Sequence, residues 1–323
     1  MIMHLNIGIV GTNFISDWLV ESLDLVEDVQ ATAVYSRTQE TGETFARRHR
    51  IPGIYSNYQE FLASDIQVVY IASPTSAHAA QAIEAMNHGK HVLCEKIIAT
   101  DSEELAAMIS AAEINQVILL EAMRPDFDPY MEQLLSLLPK VGPIRRVTFE
   151  MNQYSSRYDA FKEGVILNTF DPSLGNAALM DIGVYPIHSL VRMFGPPLHI
   201  KAMSTFLHNG FEGAGFTLLQ YEGFIAEAIY SKISQSVNPS IIEGEEGSIK
   251  VYGLTIMEKI EVCYRDGRVE MYTLERMDNN MHLEVEGLRK LIREGVVNHR
   301  YLSYSVQTLH IVDEIRKQTG IRF

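Results

Sequence analysis

In His91-Val-Leu-Cys-Glu-Lys-Ile-Ile-Ala-Thr100, a short apolar strand ends in a charged pair. Gly89 marks the end of the preceding helix, and the residues after it are mostly apolar, as expected for a buried strand. Glu95 and Lys96 then lie at the carboxyl end of the strand, where open parallel α/β sheets bind their ligands. A lysine in such a crevice can be partly desolvated and can exchange protons near neutral pH. The alternative is an ion pair on a solvated loop.

Strands and helices alternate on both sides of this stretch. The strands predicted in the first third of the chain are residues 5–10, 31–35, 68–72, 90–94 and 117–121. Repeated β–α units predict a parallel sheet. The fold class is therefore α/β, with an N-terminal Rossmann domain at residues 1–122 that has a parallel sheet.

Strands dominate the rest of the chain. We predict them at residues 144–153, 200–206, 216–221, 224–231, 248–252, 256–264 and 269–274. Parts of these segments alternate with period two, which indicates a half-exposed sheet. Residues 123–323 are therefore predicted to form an α+β domain for substrate binding and dimerisation, with a mainly antiparallel open sheet. Its final helix, residues 303–318, is a candidate to pack back on the N-terminal domain. Because open sheet faces often serve as subunit interfaces, we expect a homodimer or homotetramer.

The bulk composition excludes several classes of function. The chain has 323 residues, with 27 Lys and Arg against 41 Asp and Glu, a net charge of −14. Such an acidic chain is a poor candidate for binding nucleic acid or an anionic membrane. No apolar run approaches the ~20 residues of a membrane span, and the N-terminus lacks the basic region of a signal peptide. Two cysteines are no disulfide framework, which favours a reducing, cytoplasmic location.

A degenerate dinucleotide fingerprint follows the first predicted strand. In Gly11-Thr-Asn-Phe-Ile-Ser16, asparagine and serine replace the second and third glycines of G-x-G-x-x-G. Asparagine tolerates a left-handed backbone, and the N–H groups at a helix start can hold a pyrophosphate. The residues predicted to bind the cofactor here are Gly11, Thr12, Asn13, Phe14 and Ile15. The alternative is a purely structural turn.

Ser36 and Arg37 follow the second predicted strand, where sites that prefer NAD usually carry an acidic residue. An arginine there offers donors for a 2′-phosphate and a flat cation for adenine stacking. We therefore predict NADP as the cofactor, with NAD as the alternative.

The second domain contains a spaced set of proton-handling residues. Asp181, Tyr185 and His188 are spaced i, i+4 and i+7, so a helix would place them on one face. Such a set suits acid/base chemistry. The alternative is that Asp181 caps the helix while Tyr185 and His188 fill the core.

Taken together, these stretches resemble the Gfo/Idh/MocA oxidoreductase family, in the branch of glucose-fructose oxidoreductase and dimeric dihydrodiol dehydrogenase. The resemblance covers nearly the whole chain. Besides the segments above, it rests on the following motifs: Ala72-Ser-Pro-Thr-Ser-Ala-His78, Glu121-Ala-Met-Arg124 and Tyr154-Ser-Ser-Arg-Tyr-Asp159. The family pairs a Rossmann domain with an α/β domain whose open sheet often mediates dimerisation.

The resemblance implies roles for individual residues. Lys96 matches the lysine of the family's Glu-Lys-Pro motif, Tyr185 matches its acid/base residue, and Asp181 matches the aspartate four residues earlier. Further residues implied to bind the cofactor are Ser36, Arg37, Ser73, Pro74, Thr75, His78, Glu95, Lys96 and Arg124. Residues implied to contact the substrate are Arg157, Tyr158 and His188.

The sequence departs from the family pattern at three places. Ile97 replaces the proline that makes the lysine turn rigid, Asn13 replaces a fingerprint glycine, and Gly175-Asn-Ala177 replaces a glycine triplet. None of these changes removes a proton-transfer group.

We therefore predict a metal-free, NAD(P)-dependent oxidoreductase that acts on a sugar, polyol or dihydrodiol-like alcohol. Tyr185 would carry the hydroxyl proton, assisted by Lys96 and oriented by Asp181. One rival is a dinucleotide-binding sensor or regulator without turnover, which would not need all three residues. Another is a biliverdin-reductase-like enzyme, which would need a pocket for a tetrapyrrole but not Tyr185.

Overall fold

The computed structural model describes residues 4–275 and 277–323, which divide into two compact units. The main segment of unit 1 ends at Phe127, and Asn279–Ser303 also belongs to this unit. Unit 2 comprises Asp128–Asp278 and Tyr304–Phe323. The boundary expected between residues 122 and 123 falls close to Phe127, whereas the return of Asn279–Ser303 to the first unit goes beyond the sequence-based division.

The chain forms fourteen strands within the described residues. They are β1 (Leu5–Val10), β2 (Val29–Tyr35), β3 (Gly53–Tyr55), β4 (Val68–Ile71), β5 (His91–Glu95), β6 (Leu119–Ala122), β7 (Ile144–Asn152), β8 (His199–Phe206), β9 (Glu212–Tyr221), β10 (Phe224–Ser231), β11 (Ser240–Gly244), β12 (Gly247–Tyr252), β13 (Lys259–Tyr264) and β14 (Val269–Thr273).

Ten α-helices accompany them in the same described ranges. They are α1 (Phe14–Leu23), α2 (Gln39–His49), α3 (Tyr58–Leu62), α4 (His78–Asn87), α5 (Ser102–Asn115), α6 (Pro129–Leu137), α7 (Tyr158–Lys162), α8 (Val184–Phe194), α9 (His282–Glu294) and α10 (Arg300–Thr319).

Unit 1 is built on a six-stranded parallel sheet. Its strand order is β3-β2-β1-β4-β5-β6, the order of a dinucleotide-binding Rossmann fold. The central strands are apolar along their length because helices cover the sheet. Val285 and Leu288 of α9 belong to the same core as Ile7 and Leu93. Helix α9 is therefore an integral part of this unit, although it is encoded far from the rest of it.

Unit 2 is built on an eight-stranded mixed sheet in the order β14-β13-β12-β11-β7-β10-β9-β8. Among the described strands, β7 and β10 pair in parallel and the other neighbours are antiparallel. The strands alternate between buried and exposed residues, and α8 packs against β7 and β10 on the buried face. The predicted fold class, a Rossmann sheet followed by a mainly antiparallel sheet, is confirmed.

No helix in the described ranges has both the length and the apolar character required to cross a membrane.

Candidate functional site

The turn that carries Lys96 follows β5 and is held by two buried side chains. His78 Nδ1 lies 3.0 Å from the carbonyl oxygen of Ile97, and Glu121 Oε1 accepts a 3.0 Å hydrogen bond from the backbone N–H of Ile98. The peptide bond between Lys96 and Ile97 is cis. Ile97 and Ile98 are themselves buried. The turn therefore has its own anchors although the family's proline is absent.

Glu95, at the end of β5, is held by a neighbouring strand. The Tyr70 hydroxyl of β4 donates a 2.6 Å hydrogen bond to Glu95 Oε1. Burial raises the pKa of Glu95, while the Tyr70 hydrogen bond and the nearby charges of Lys96 and Arg124 act in the opposite direction. This hydrogen bond thus joins β4 and β5 near their carboxyl ends, at the same edge of the parallel sheet.

Glu284 of α9 adds a second carboxyl group near Glu95. It is 1 % exposed, and among the described residues neither of its carboxylate oxygens has a hydrogen-bond partner. Burial raises its pKa well above the usual range, and the negative charge of Glu95 raises it further. Glu284 therefore takes up a proton readily. No sequence motif marks Tyr70 or Glu284, because each lies within an otherwise apolar face of its strand or helix.

The Gly11 turn fits close to the end of β4. Gly11 has φ +101°, and a Cβ atom on it would lie 2.8 Å from the carbonyl oxygen of Ala72. Both the positive φ angle and the close approach to Ala72 therefore exclude any residue with a side chain at this position. A glycine turn directly before a helix start is the type of structure that holds the diphosphate of a dinucleotide in Rossmann folds.

Asn13 lies directly before α1. Its backbone is extended, with φ −87° and ψ 177°, so the tolerance of asparagine for a left-handed backbone is not used here. The side chain instead caps α1: Oδ1 accepts from the N–H groups of Ile15 at 3.0 Å and Ser16 at 3.2 Å. Nδ2 donates to the carbonyl oxygen of Ala72 at 2.8 Å. A diphosphate at this helix start must share these donors with Asn13 or displace it.

Ser36 and Arg37 lie between β2 and α2 with contrasting exposure. Ser36 is buried and forms a hydroxyl–hydroxyl hydrogen bond with Thr41, which also bonds the Thr38 hydroxyl at 2.7 Å. Arg37 is exposed. Thr38 is the residue before α2, and its side chain does not cap the backbone N–H groups at the start of that helix. Hydroxyls, a helix N-terminus and an exposed guanidinium together suit a phosphate group.

His78 is an internal brace between the Ser73 loop and the lysine turn. It is 1 % exposed, and its Nε2 lies 2.9 Å from the carbonyl oxygen of Ser73, opposite the Nδ1 contact with Ile97. The Ser73 hydroxyl donates to Gln81 at 2.7 Å. Pro74 is exposed and Thr75 is half-buried. Of this predicted set, His78 is buried and supports the two loops, whereas Pro74 and Thr75 are at least partly accessible to solvent.

Arg124 follows β6 in a short 3₁₀ turn, with its guanidinium 5.2 Å from the ring centroid of Trp18 of α1. This cation–π contact joins α1, the helix after the first strand, to the turn that follows β6, the last strand of the sheet. The structure thus brings Gly11, Glu95, Lys96 and Arg124 to the carboxyl edge of one parallel sheet.

In unit 2, Asp181 lies in a π-helical segment, Leu179–Gly183, that leads directly into α8 with Tyr185 in its first turn. Such segments often mark functional sites. A Cβ atom on Gly183 would lie 2.8 Å from the ring of Tyr230, so the segment packs against β10 where only glycine fits. Pro186 is accommodated because it lies near the helix start.

His188, the third residue of the predicted set, is fully buried. Its Nδ1 lies 3.1 Å from the hydroxyl of Thr308, and its ring meets Tyr304 edge-on, both on α10. This position favours the alternative in which His188 fills the core over the one in which it contacts substrate.

Asp181 is paired with a lysine that the sequence analysis did not single out. Lys232, directly after β10, donates to Asp181 Oδ2 and to the Thr169 hydroxyl, the latter at 2.9 Å. The Asp181 side chain is 40 % exposed, whereas that of Lys232 is 6 % exposed. A lysine at a strand end resembles any surface lysine in the sequence, so no local signal distinguishes it.

An aromatic cluster surrounds this pair. The Lys232 ammonium lies 5.4 Å from the ring centroid of Phe170 and 5.8 Å from that of Phe211. Tyr158 stacks on Phe170 with centroids 5.7 Å apart. Arg157, just before α7, is exposed. Tyr158 is therefore connected to the Asp181 pair through the cluster, while Arg157 lies at its solvent edge.

Two further segments position the π-helical segment. Glu212 of β9 is 1 % exposed and accepts a 2.8 Å hydrogen bond from the N–H of Leu179. Burial raises the pKa of Glu212 to about 7. In the Gly175-Asn-Ala177 segment, Gly175 has φ +78° and Asn176 donates to the carbonyl oxygen of Asn168 at 2.7 Å.

Comparison with known proteins gives full-length matches. Residues 5–123 match the model of the Gfo/Idh/MocA oxidoreductase family with its NAD-binding Rossmann fold, and residues 139–250 match a Gfo/Idh/MocA C-terminal domain. The chain is 45 % identical over 317 residues to scyllo-inositol 2-dehydrogenase (NADP(+)) IolU of Bacillus subtilis (strain 168), covering 97 % of each chain. It is 30 % identical over 338 residues to trans-1,2-dihydrobenzene-1,2-diol dehydrogenase of Danio rerio, covering 99 % of this chain and 98 % of that one.

A solved structure shows the same fold. The 3-ketoreductase KijD10 from Actinomadura kijaniata, in complex with NADP and TDP-benzene, superposes with a TM-score of 0.88 at 21 % identity, covering 98 % of both chains. The matched residues include both units of the chain, and at this identity the match shows the fold alone. With both family models matched and a relative of 45 % identity along nearly its whole length, the chain belongs to the Gfo/Idh/MocA oxidoreductase family.

Proposed function

We propose that this protein is an NADP-dependent dehydrogenase that oxidises a secondary hydroxyl of a ring polyol, of the inositol or sugar type, and reduces the corresponding ketone in reverse. The observation that carries the proposal is the 45 % identity, over 97 % of both chains, to an NADP(+)-dependent scyllo-inositol 2-dehydrogenase. The Lys96, Asp181 and Tyr185 set supports it, because a dinucleotide sensor has no need of all three residues.

The cofactor is proposed to bind along the carboxyl edge of the unit 1 sheet. The Gly11 turn would hold the diphosphate, and Ser36 with Arg37 would hold the 2′-phosphate that distinguishes NADP from NAD. Ser73, Pro74 and Thr75 follow β4 on the same edge and would line the site. When bound, the nicotinamide supplies the carbon that exchanges hydride with the substrate.

The proton chemistry is assigned to three side chains. Tyr185 would accept the hydroxyl proton as the substrate carbon gives up its hydride, which leaves a ketone. A tyrosine with a pKa near the usual value of about 10 is a weak base at neutral pH, so a cation must favour its phenolate form. We propose that the Lys96 ammonium group is this cation and that it contacts the same substrate hydroxyl as Tyr185. Asp181 is proposed to orient the substrate. Tyr158 and Arg157 are further candidates to contact hydroxyl groups.

The test is turnover with a defined substrate panel. The purified protein is incubated with NADP⁺ or NAD⁺ and with scyllo-inositol, myo-inositol, hexoses, linear polyols and trans-dihydrodiols, while reduced cofactor is followed at its absorption band. We expect activity with NADP⁺ and a cyclic polyol that Tyr185→Phe abolishes. Tight binding of NADPH with no turnover of any panel member, in either direction, would instead favour a sensor of the same fold.

We further propose a cytoplasmic, homodimeric or homotetrameric protein that assembles through the open face of the unit 2 sheet. The low cysteine content, two residues in 323, supports the location. The assembly is supported by the sheet face itself, on which Met203 is 76 % exposed and Ile225 is 51 % exposed.

A further inference from the structure

We propose that Lys232 is a positioning residue for the reaction, which holds the carboxylate of Asp181 in a fixed orientation. The inference rests on the role of Asp181 in the proposed function. It starts from the unequal burial of the pair, because the lysine side chain is 6 % exposed and the aspartate side chain is 40 % exposed. The lysine therefore supports the carboxylate from the interior, and the carboxylate retains access to solvent.

Burying an ammonium group is costly unless it is paired and hydrogen-bonded. Lys232 meets this requirement with Asp181 Oδ2, the Thr169 hydroxyl and the faces of Phe170 and Phe211. A purely apolar residue would fill the same space without this cost. The presence of a lysine is therefore better explained by what its charge does for Asp181 than by packing.

The backbone of Lys232 is fixed on both sides. Its N–H donates to the carbonyl oxygen of Gly213 at 2.9 Å, and its carbonyl oxygen accepts from the N–H of Ser155 at 2.9 Å. The lysine thus extends the β10 pairing by one residue, and its side chain starts from a rigid position. A rigid lysine transmits that rigidity to the carboxylate it binds.

The partner of Lys232 lies on a segment whose geometry is also constrained. Asp181 is in the π-helical segment, which Glu212 anchors at Leu179 and Gly183 packs against Tyr230. A carboxylate can accept hydrogen bonds at several lone-pair positions, so the bond from Lys232 does not exhaust its capacity. Asp181 can therefore be held by Lys232 and still accept a hydroxyl group of a polyol.

The experiment is a double-mutant cycle on Lys232→Met and Asp181→Asn. Methionine keeps much of the side-chain volume but removes the charge. We expect Lys232→Met to lower kcat/KM for the polyol about 10–100-fold, the range seen when a supporting partner of a functional side chain is removed, with the Kd of NADPH unchanged. Lys232→Arg should recover part of the loss because it keeps the charge. Lys317→Met, which removes an exposed lysine paired with Glu314 on α10, is the matched control and should leave kcat/KM unchanged.

The double variant separates positioning from folding. If Lys232 acts through Asp181, adding Lys232→Met to Asp181→Asn lowers kcat/KM little further. The double variant also avoids leaving either charge buried alone, so it should fold even where Lys232→Met does not. Wild-type kcat/KM in folded Lys232→Met, or a full multiplicative loss in the double variant, would overturn the proposal. Wild-type activity in Asp181→Asn would instead reject the role assigned to Asp181 in the proposed function.

Discussion

His78 Nδ1 lies 3.0 Å from the carbonyl oxygen of Ile97, the residue that follows Lys96. The other ring nitrogen lies 2.9 Å from the carbonyl oxygen of Ser73. One buried imidazole therefore fixes the spacing between the loop after β4 and the turn after β5. Burial lowers the pKa of His78, so the ring is neutral at physiological pH and one of its nitrogens donates.

Replacing this imidazole should affect both loops together. His78→Leu removes the ring N–H and leaves a carbonyl oxygen that it bonded without its donor, and we expect the free energy of unfolding to fall by about 1–3 kcal/mol. We also expect kcat to fall in this variant, because the turn after β5 carries Lys96. The KM for NADP should rise, because the loop after β4 carries Ser73, Pro74 and Thr75, which are proposed to line the cofactor site. His88→Leu removes an exposed histidine near the other end of α4 and serves as the control. A stability loss with unchanged kinetics would show that the brace does not serve the site.

A pH effect on stability follows from Glu212. Burial raises its folded pKa to about 7, from an ordinary value of 4.5. Between these two values the folded state holds a proton that the unfolded state has lost, so the stability contributed by this group falls as the pH rises. The slope is about 1.4 kcal/mol per pH unit in that window. This contribution is fully present below pH 4.5 and is lost above pH 7.

The measurement is denaturant unfolding of wild type and Glu212→Gln at pH 5 and pH 8. Glutamine cannot ionise, and we expect wild type to lose about 2–3 kcal/mol relative to the variant between the two pH values. Glu222→Gln, in the exposed turn between β9 and β10, controls for the general effect of removing a carboxylate. A difference between wild type and Glu212→Gln that stays constant with pH would show that Glu212 is not protonated near neutrality.

The sequence predicted most of the unit 1 sheet because each of its central strands is a continuous apolar run with a turn signal at its end. It missed β11 (Ser240–Gly244), which is short and borders the glycine- and glutamate-rich stretch at its end. It started β9 late, since Gly213 and Gly215 resemble a loop. Gly215 lies there for another reason: a side chain at that position would collide with Tyr230. Close packing between distant residues cannot be inferred from local pattern.

The candidate site shows the same limit. Lys96, Asp181 and Tyr185 can be predicted as site residues because their spacing and motif context are local properties of the sequence. Lys232 and Glu212 support Asp181 from neighbouring strands, and each looks like an ordinary residue in its own segment. Asn13 caps α1, and its local sequence does not distinguish this role from a left-handed turn, because asparagine serves equally well in both.

The choice between NADP and NAD is tested at Arg37. Arg37 is exposed and directly follows Ser36, whose hydroxyl bonds that of Thr41, so we expect Arg37→Ala to weaken NADP binding by about 1–3 kcal/mol and to leave NAD nearly unchanged. Fluorescence titration with NADPH and NADH measures both affinities. Arg47→Ala, on the last turn of α2, is the matched control. Equal losses for the two cofactors would mean that Arg37 does not contact the 2′-phosphate.

The assembly prediction concerns the exposed face of the unit 2 sheet. Phe216 lies between Met203 of β8 and Ile229 of β10 in the strand register, and Ile225 lies opposite Gln220 of β9. An apolar face of this kind is rarely left to water, and a second copy of the chain supplies a complementary surface. We expect a dimer or tetramer by sedimentation at micromolar concentration.

The variant Ile225→Lys tests whether this face is the interface. It places a cation next to Arg146 of β7, so the assembly should dissociate while the fold of the protomer is retained. Ile114→Lys, at an exposed position of α5 in unit 1, should leave the assembly intact. A wild-type monomer, or an assembly that survives Ile225→Lys, would contradict the prediction.

The last prediction concerns proton transfer. Tyr185→Phe keeps the ring and removes the proton carrier, and we expect turnover to fall by about 10²–10⁴-fold, the usual share of general acid/base catalysis. Cofactor affinity should change little, because the substitution removes only one hydroxyl oxygen and keeps the ring. Lys96→Met should lower turnover to a similar extent. It should also flatten the pH–rate profile, because the phenolate form of Tyr185 then lacks the cation that favours it. The two kinetic signatures are measured with the same polyol under saturating NADP⁺, and binding of the reduced cofactor is measured separately. Near-normal turnover in Tyr185→Phe would remove Tyr185 from the reaction and leave Lys96 as the remaining candidate for the proton carrier.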